Sequence, residues 1–237
     1  MPERVESKSL SRRLAAFSGF VTGPKDSPDR DTALDQYRAR AGVYDLELAL
    51  FEPIRRHTVE QLALKRGDTV IDVGCGTGLS LPLLQERVGA GGRVIAVEQS
   101  PEMLGRASER ARQNGWKNVT LLNSPVEDAA IPADAGAALF HFTHDILRTP
   151  AAIANIFRHL KPGARVAAAG LKWAPMWAMP VNLFVWQAAM RSVTSLAGLR
   201  APWSNLERFV PGLVVERMLG GGVYVARGTT TVSEPID

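Results

Sequence analysis

The run Val70-Ile71-Asp72-Val73-Gly74-Cys75-Gly76-Thr77-Gly78 limits what this chain can fold into more than any other feature. An apolar, β-branched segment enters a turn that carries three glycines, and Leu79 to Leu84 then reads as the start of a helix. Glycine has no Cβ, so such a turn can adopt positive φ and let a ligand lie against bare backbone. The helix behind it offers unpaired N–H groups and the positive end of its dipole. A strand, a glycine turn and a helix in this order predict an α/β domain whose ligand contains a nucleoside and carries a carboxylate or phosphate.

The spacing narrows the ligand. A dinucleotide fingerprint reads G-x-G-x-x-G, whereas here the third glycine, Gly78, arrives one residue early. Asp72 lies two residues before Gly74, where its charge would repel a pyrophosphate. The next apolar run, Arg93 to Val97, ends in Glu98, twenty residues beyond Gly78. A carboxylate at the tip of a second strand can accept hydrogen bonds from both ribose hydroxyls. This segment resembles motif I and the following acidic position of the class I S-adenosylmethionine (SAM) dependent methyltransferases. The resemblance extends over residues 40 to 228 and takes in Ser124-Pro125-Val126-Glu127-Asp128, Phe140-His141-Phe142 and the run Phe157 to Val166. It implies SAM as cofactor and S-adenosylhomocysteine as product.

Beyond the glycine turn, strands are predicted at 69–73, 93–98, 119–123, 137–142 and 164–171, and helices near 79–88, 101–114 and 150–160. Regular alternation of this kind demands right-handed crossovers and a parallel sheet covered on both faces. Two further strands, Val214–Leu219 and Val223–Arg227, are joined through Gly220-Gly221-Gly222. The expected fold is thus a Rossmann-like α/β domain with a seven-stranded, mostly parallel sheet, a terminal antiparallel hairpin and an N-terminal helical cap. Residues 1–40 read as that extension and 41–237 as the domain, with 172–200 as an insert that covers the substrate. Residues 34 to 64 carry helical periodicity, and a short helix is expected around Pro202 to Phe209.

The family resemblance implies roles by position. Gly74, Cys75, Gly76 and Gly78 pass under the methionine part of SAM, and Asp72 receives its ammonium. Glu98 takes the ribose, with Gln99 beside it. Met103 covers an adenine face. The family's usual Asp-Ala pair after the third strand is replaced here by Pro125 and Val126. The adenine contacts then fall to the Val126 N–H and Glu127, because proline has no N–H to donate. Tyr44 is expected near the cofactor and Tyr37 near the substrate. His141 faces the reactive side of the cofactor.

The acceptor is less sharply defined. His141 and His144, with Asp145 beside them, follow the fourth strand at the carboxyl edge of the sheet, where open α/β folds bind ligands. Either histidine suits the orientation or deprotonation of an acceptor hydroxyl. The alternative is that His141 only lines the methionine pocket while His144 and Asp145 begin the next helix. Residues 172 to 200 are rich in Trp, Met, Phe and Pro. Trp173, Trp177 and Trp186 are candidate walls of an apolar or aromatic acceptor site, since Trp and Met make adaptable, polarizable surfaces. The helix expected over Val181 to Leu196 is apolar on several faces and needs cover from the protein body, a dimer partner or lipid.

Composition sets outer bounds. Hydrophobic residues make up 46% of the 237, enough for a sizeable core. The net charge of +4 is spread without long like-charge runs, which argues against a nucleic-acid module. The one cysteine, Cys75, excludes an intrachain disulfide and a cysteine zinc site, and suits a reducing cytoplasm. No metal is expected. Leu10 to Val21 reads as an amphipathic, surface-active helix. Together these features point to a SAM-dependent methyltransferase acting on N or O of a hydrophobic small molecule. Two alternatives stand beside it: a phospholipid N-methyltransferase held at the membrane surface by the N-terminal helix, and a non-catalytic SAM-binding protein. An NAD-dependent dehydrogenase is disfavoured by the glycine spacing.

Overall fold

In the computed structural model, which describes residues 49–192 and 196–231, seven strands form one sheet. They are β1 (Thr69–Val73), β2 (Arg93–Glu98), β3 (Val119–Asn123), β4 (Ala135–His141), β5 (Leu160–Leu171), β6 (Val214–Met218) and β7 (Val223–Thr229). Their order is β3-β2-β1-β4-β5-β7-β6. The first five are parallel, and β7 runs antiparallel to both β5 and β6. The described helices are α1 (Glu52–Gln61), α2 (Leu81–Val88), α3 (Pro101–Gln113), α4 (His144–Leu147), α5 (Pro150–Arg158) and α6 (Met179–Ser192). The expected seven-stranded sheet with its terminal hairpin is therefore present.

From β1 the chain builds outward to β2 and β3, then returns to β4 on the other side of β1. The connections leaving β1 and β4 run in opposite directions, so a crevice opens between their carboxyl ends. Strand alternation decides which side chains share a face. Val70 lies in one core cluster with Val94, Ala96, Ala137 and Leu139, packed against Val59 of α1, Leu84 of α2 and Ala107 of α3. By the same period of two, Asp72, Glu98 and His141 continue that face toward the carboxyl edge. Ile71, Val73, Ile95, Val97 and Phe140 take the opposite face, against Ile153 and Ile156 of α5.

Several boundaries differ from those expected. The helix predicted over 150–160 ends at Arg158, and β5 begins at Leu160 rather than 164. Ala135 draws the intervening backbone into the sheet: its N–H donates to His159 O at 2.8 Å, and it pairs with Leu160. The helix expected around 202–209 is reduced to a 3-10 turn, Leu206–Arg208. The helix after the glycine turn starts at Leu81, where Pro82 occupies the first turn and its missing N–H costs nothing. Of the helical stretch predicted over 34–64, the described part is a 3-10 turn (Ala49–Phe51) leading into α1. The N-terminal cap, Tyr37 and Tyr44 lie outside the described residues.

Candidate active site

The glycine turn joins β1 to α2 at the crevice. Gly74, Gly76 and Gly78 all have positive φ, at 70°, 56° and 78°. A Cβ on Gly74 would lie 2.7 Å from both Ile146 Cδ1 and Thr143 Cγ2, and one on Gly78 would meet Leu81 Cδ1 at 2.7 Å. Side chains are thus excluded twice, by backbone conformation and by space. The turn is tied to its neighbour strand, since Cys75 N–H donates to Val97 O at 3.0 Å.

Glu98 is the second anchor. It is buried, and its carboxylate accepts the Gly76 N–H at 3.0 Å and the Ser100 N–H at 2.8 Å. One side chain therefore sets the spacing between the glycine turn and the start of α3. Each carboxylate oxygen keeps lone-pair capacity for a ribose hydroxyl. Burial raises the Glu98 pKa, and the backbone N–H groups of Ser100, Gly76 and Gln99 partly offset it. Gln99 is half-buried, and its carbonyl accepts from Asn123 Nδ2 at 3.1 Å. Met103 is buried one turn into α3, its N–H capped by Ser100 Oγ at 3.3 Å. Val126 is buried and Glu127 half-buried in a 3-10 turn, Val126–Asp128. Asn155 of α5 holds that turn by donating to Val126 O at 2.7 Å and Ala129 O at 2.9 Å.

On the face shared by Asp72 and His141 lies a residue that motif reading does not single out, Arg55 of α1. Arg55 and Asp72 are buried and His141 is half-buried, and the charge of Arg55 acts on both of the others. Its guanidinium pairs with Glu52 through Nη1. Arg55 Nε, Asp72 Oδ2 and His141 Nε2 have no hydrogen-bond partner among the described residues. Burial drives the Asp72 pKa up to about 7, with Arg55 opposing the rise. Burial, reinforced by Arg55, lowers that of His141 to about 3, so its imidazole is neutral at pH 7. A donor, an acid and a neutral imidazole with unmet hydrogen-bonding capacity mark a place for a polar ligand. The set suits a zwitterionic amino acid: Asp72 for an ammonium, Arg55 for a carboxylate. Cys75 is buried, and burial pushes its thiol pKa well above the ordinary range. Its contribution to the turn is therefore backbone, not thiolate chemistry.

The remaining predicted residues separate from this cluster. His144 Nε2 lies 3.1 Å from Ala197 O. A carbonyl only accepts, so that nitrogen carries the proton. His144 thereby ties α4 to the loop after α6. Asp145 is half-buried in the first turn of α4, and its carbonyl accepts from Thr149 Oγ1 at 2.9 Å. Trp173 is half-buried and packs on the cluster that includes Phe51, Leu171 and Val185. Trp177 and Trp186, expected to wall the acceptor site, stand exposed instead. The physical reason is that Val181, Val185 and Ala189 occupy the inner face of α6, against Ala169, Leu171, Val223 and Val225. Phe142, with φ of 58°, packs in tilted contact between the rings of His141 and Phe51, at centroid distances of 4.8 and 4.7 Å.

Residues 70–163 match the family model described as a methyltransferase domain. A 2-phytyl-1,4-naphtoquinone methyltransferase of Synechococcus elongatus is 33% identical over 138 residues, 54% of this chain and 58% of that one. An aklanonic acid methyltransferase of Streptomyces sp. is 28% identical over 149 residues, covering 60% and 66%. The chain thus spans less than two thirds of the length of these relatives. Among solved structures, a SAM-dependent methyltransferase from Aquifex aeolicus superposes with a TM-score of 0.54 at 25% identity, covering 75% of this chain and 89% of that one.

Proposed function

Starting from the methyltransferase domain that residues 70–163 match, we propose that the protein transfers a methyl group from SAM to nitrogen or oxygen of a hydrophobic small-molecule acceptor. The single observation that carries this reading is the trio Arg55, Asp72 and His141 beside the glycine turn, each with a buried, unpartnered polar atom among the described residues. SAM presents an ammonium and a carboxylate on its methionine end, and this trio complements both.

When bound, SAM supplies an electrophilic methyl group on a sulfonium leaving group. Asp72 accepts from the ammonium and Arg55 donates to the carboxylate. Glu98 accepts from the ribose hydroxyls while keeping the Gly76 and Ser100 N–H groups. Met103 and Val126 flank the adenine, with Gln99 and Glu127 at its rim. Gly74 and Gly78 supply bare backbone along the methionine chain. The protein's contribution is alignment for in-line displacement and exclusion of water.

His141 is a poor proton store, because its pKa of about 3 lies far below neutrality. The site therefore suits acceptors that attack without a strong protein base, such as a neutral amine or a phenolate. Region 172–200 borders the acceptor side through Trp173 and the inner face of α6. The names of the phytyl-naphtoquinone and aklanonic acid methyltransferases above support an apolar acceptor.

Calorimetric titration with SAM, S-adenosylhomocysteine and NAD tests the cofactor. Binding of NAD alone would overturn the reading. Transfer of labelled methyl to a panel of amines, phenols, quinones and phospholipids tests the acceptor. A panel in which only phospholipid is labelled would replace the small-molecule assignment.

A further inference from the structure

The outward face of α6 has no use in the site just described. Met179, Leu183, Trp186 and Met190 recur at helical spacing along it, all exposed. The preceding turn adds Met176 at 89% exposure and Trp177 at 81%. Between Trp173 and Met190 the one exposed polar side chain is Gln187. The patch continues sideways, because Phe184 packs 6.2 Å from the ring of Phe51, next to exposed Leu50. The exposed Leu219 adds to it from the turn Leu219–Gly221, which lies against α6. A contiguous surface of this kind marks an interaction site.

Charge says what kind. Between Asp145 and Glu207 the chain has seven Lys and Arg residues and no Asp or Glu. One of them, Arg200, is exposed in the stretch that carries the patch, whereas Lys172 is buried and donates to the Trp173 and Gly221 carbonyls. Arg217 is exposed, and its charge adds to the burial that lowers the Lys172 pKa. A second copy of this chain, meeting the patch through a two-fold axis, would bring like charges together. An anionic lipid surface offers the complement: acyl chains for Met176, Trp177, Leu183 and Trp186, and negative headgroups for the basic rim. Exposed tryptophan with its polar N–H suits the depth of the headgroups.

We propose that the outward face of α6, with the Met176-Trp177 turn at its start, docks on the surface of an anionic phospholipid bilayer. The helix lies in the interface and does not span it; among the described residues no helix is long and apolar enough to cross a membrane. The inner face of the same helix borders Phe51 and Phe142, beside His141. Docking therefore sets the acceptor side of the sheet next to the lipid.

The test is sedimentation of the full chain with vesicles of phosphatidylcholine alone or with about a third phosphatidylglycerol, chosen for its surface potential. The intact protein is expected to pellet with the anionic vesicles and to release at high salt. Met176→Ser/Trp177→Ser, and separately Leu183→Ser, are expected to weaken partitioning, the double variant by about tenfold or more. Arg200→Glu should weaken it on anionic vesicles only. Unchanged SAM affinity by calorimetry in each variant reports an intact fold and keeps this test separate from the methyltransferase reading. Absence of vesicle binding by the intact chain would overturn the proposal. So would variants that bind as well as the intact protein, or a dimer by light scattering that Met176→Ser/Trp177→Ser splits while no form binds vesicles.

Discussion

Arg55 and Asp72 are both buried on one face of the sheet, yet the Arg55 guanidinium forms its ion pair with Glu52, and Asp72 Oδ2 has no hydrogen-bond donor among the described residues. Arg55 lowers the Asp72 pKa without cancelling the effect of burial, which lifts it to about 7. The carboxyl is thus poised to lose its proton when a cation arrives.

SAM affinity is expected to rise with pH up to about 7 and then level off, because the ammonium needs the ionised form of Asp72. The slope below that point approaches about tenfold per pH unit. Proton release on binding, read by calorimetry in buffers of different ionisation enthalpy, checks it. Asp72→Asn should abolish the pH dependence and lower the affinity; a profile that survives in Asp72→Asn would assign the proton elsewhere.

Asp72 and His141 also shape stability. The folded pKa of Asp72 exceeds its unfolded value of 3.8, so the folded state binds more protons between about pH 4 and 7. Its contribution falls as pH rises through that window. His141 acts in the opposite sense. Its folded pKa lies below 6.5, so stability falls as pH drops from 6.5 toward 3. Asp72→Asn should flatten the first limb and His141→Phe the second in thermal melts across pH.

Arg55→Met is expected to weaken SAM by about 10- to 100-fold, the loss of a charged hydrogen bond of about 1.5–3 kcal/mol. Arg55→Lys should recover part of it, since an ammonium keeps the charge but not the fork. S-adenosyl ligands lacking the carboxylate provide the control, because their affinity should be insensitive to the Met substitution.

Gly74→Ala places a Cβ 2.7 Å from Ile146 and Thr143 on a residue with φ of 70°. The expected cost is about 2–4 kcal/mol, from left-handed strain and overpacking together. Adding Ile146→Ala should return the packing part and leave the strain. A Gly74→Ala protein with unchanged melting temperature and SAM affinity would contradict the close approach.

Glu98→Ala removes the acceptor for two backbone N–H groups that organise the glycine turn and α3. Destabilisation of about 1–3 kcal/mol is expected, with SAM binding weakened well beyond that of Glu98→Gln. The amide keeps one acceptor oxygen, so Glu98→Gln separates the ribose contact from the scaffold role. Equal losses in both variants would mean that the charge is what matters.

What the sequence by itself determined is local and periodic. The β-branched runs set the five parallel strands to within a few residues, and Gly220 to Gly222 set the terminal hairpin. Asp72, the glycines and Glu98 could be named because their spacing along one strand–turn–helix unit fixes their mutual placement. Only the tertiary structure decided which helix covers that face. Arg55 carries no motif and sits in a helix seventeen residues before Asp72; it reaches the site because Val59 and Leu62 of that segment pack beneath it. The same holds for Trp177 and Trp186. Their type suggested a pocket wall, but α6 is apolar on several faces, and its own periodicity could not say which side would meet the sheet. Packing of Val181, Val185 and Ala189 against β5 and β7 made that choice and turned the two tryptophans outward. Long-range contact, not residue type, assigns a helix its buried face when several faces are apolar.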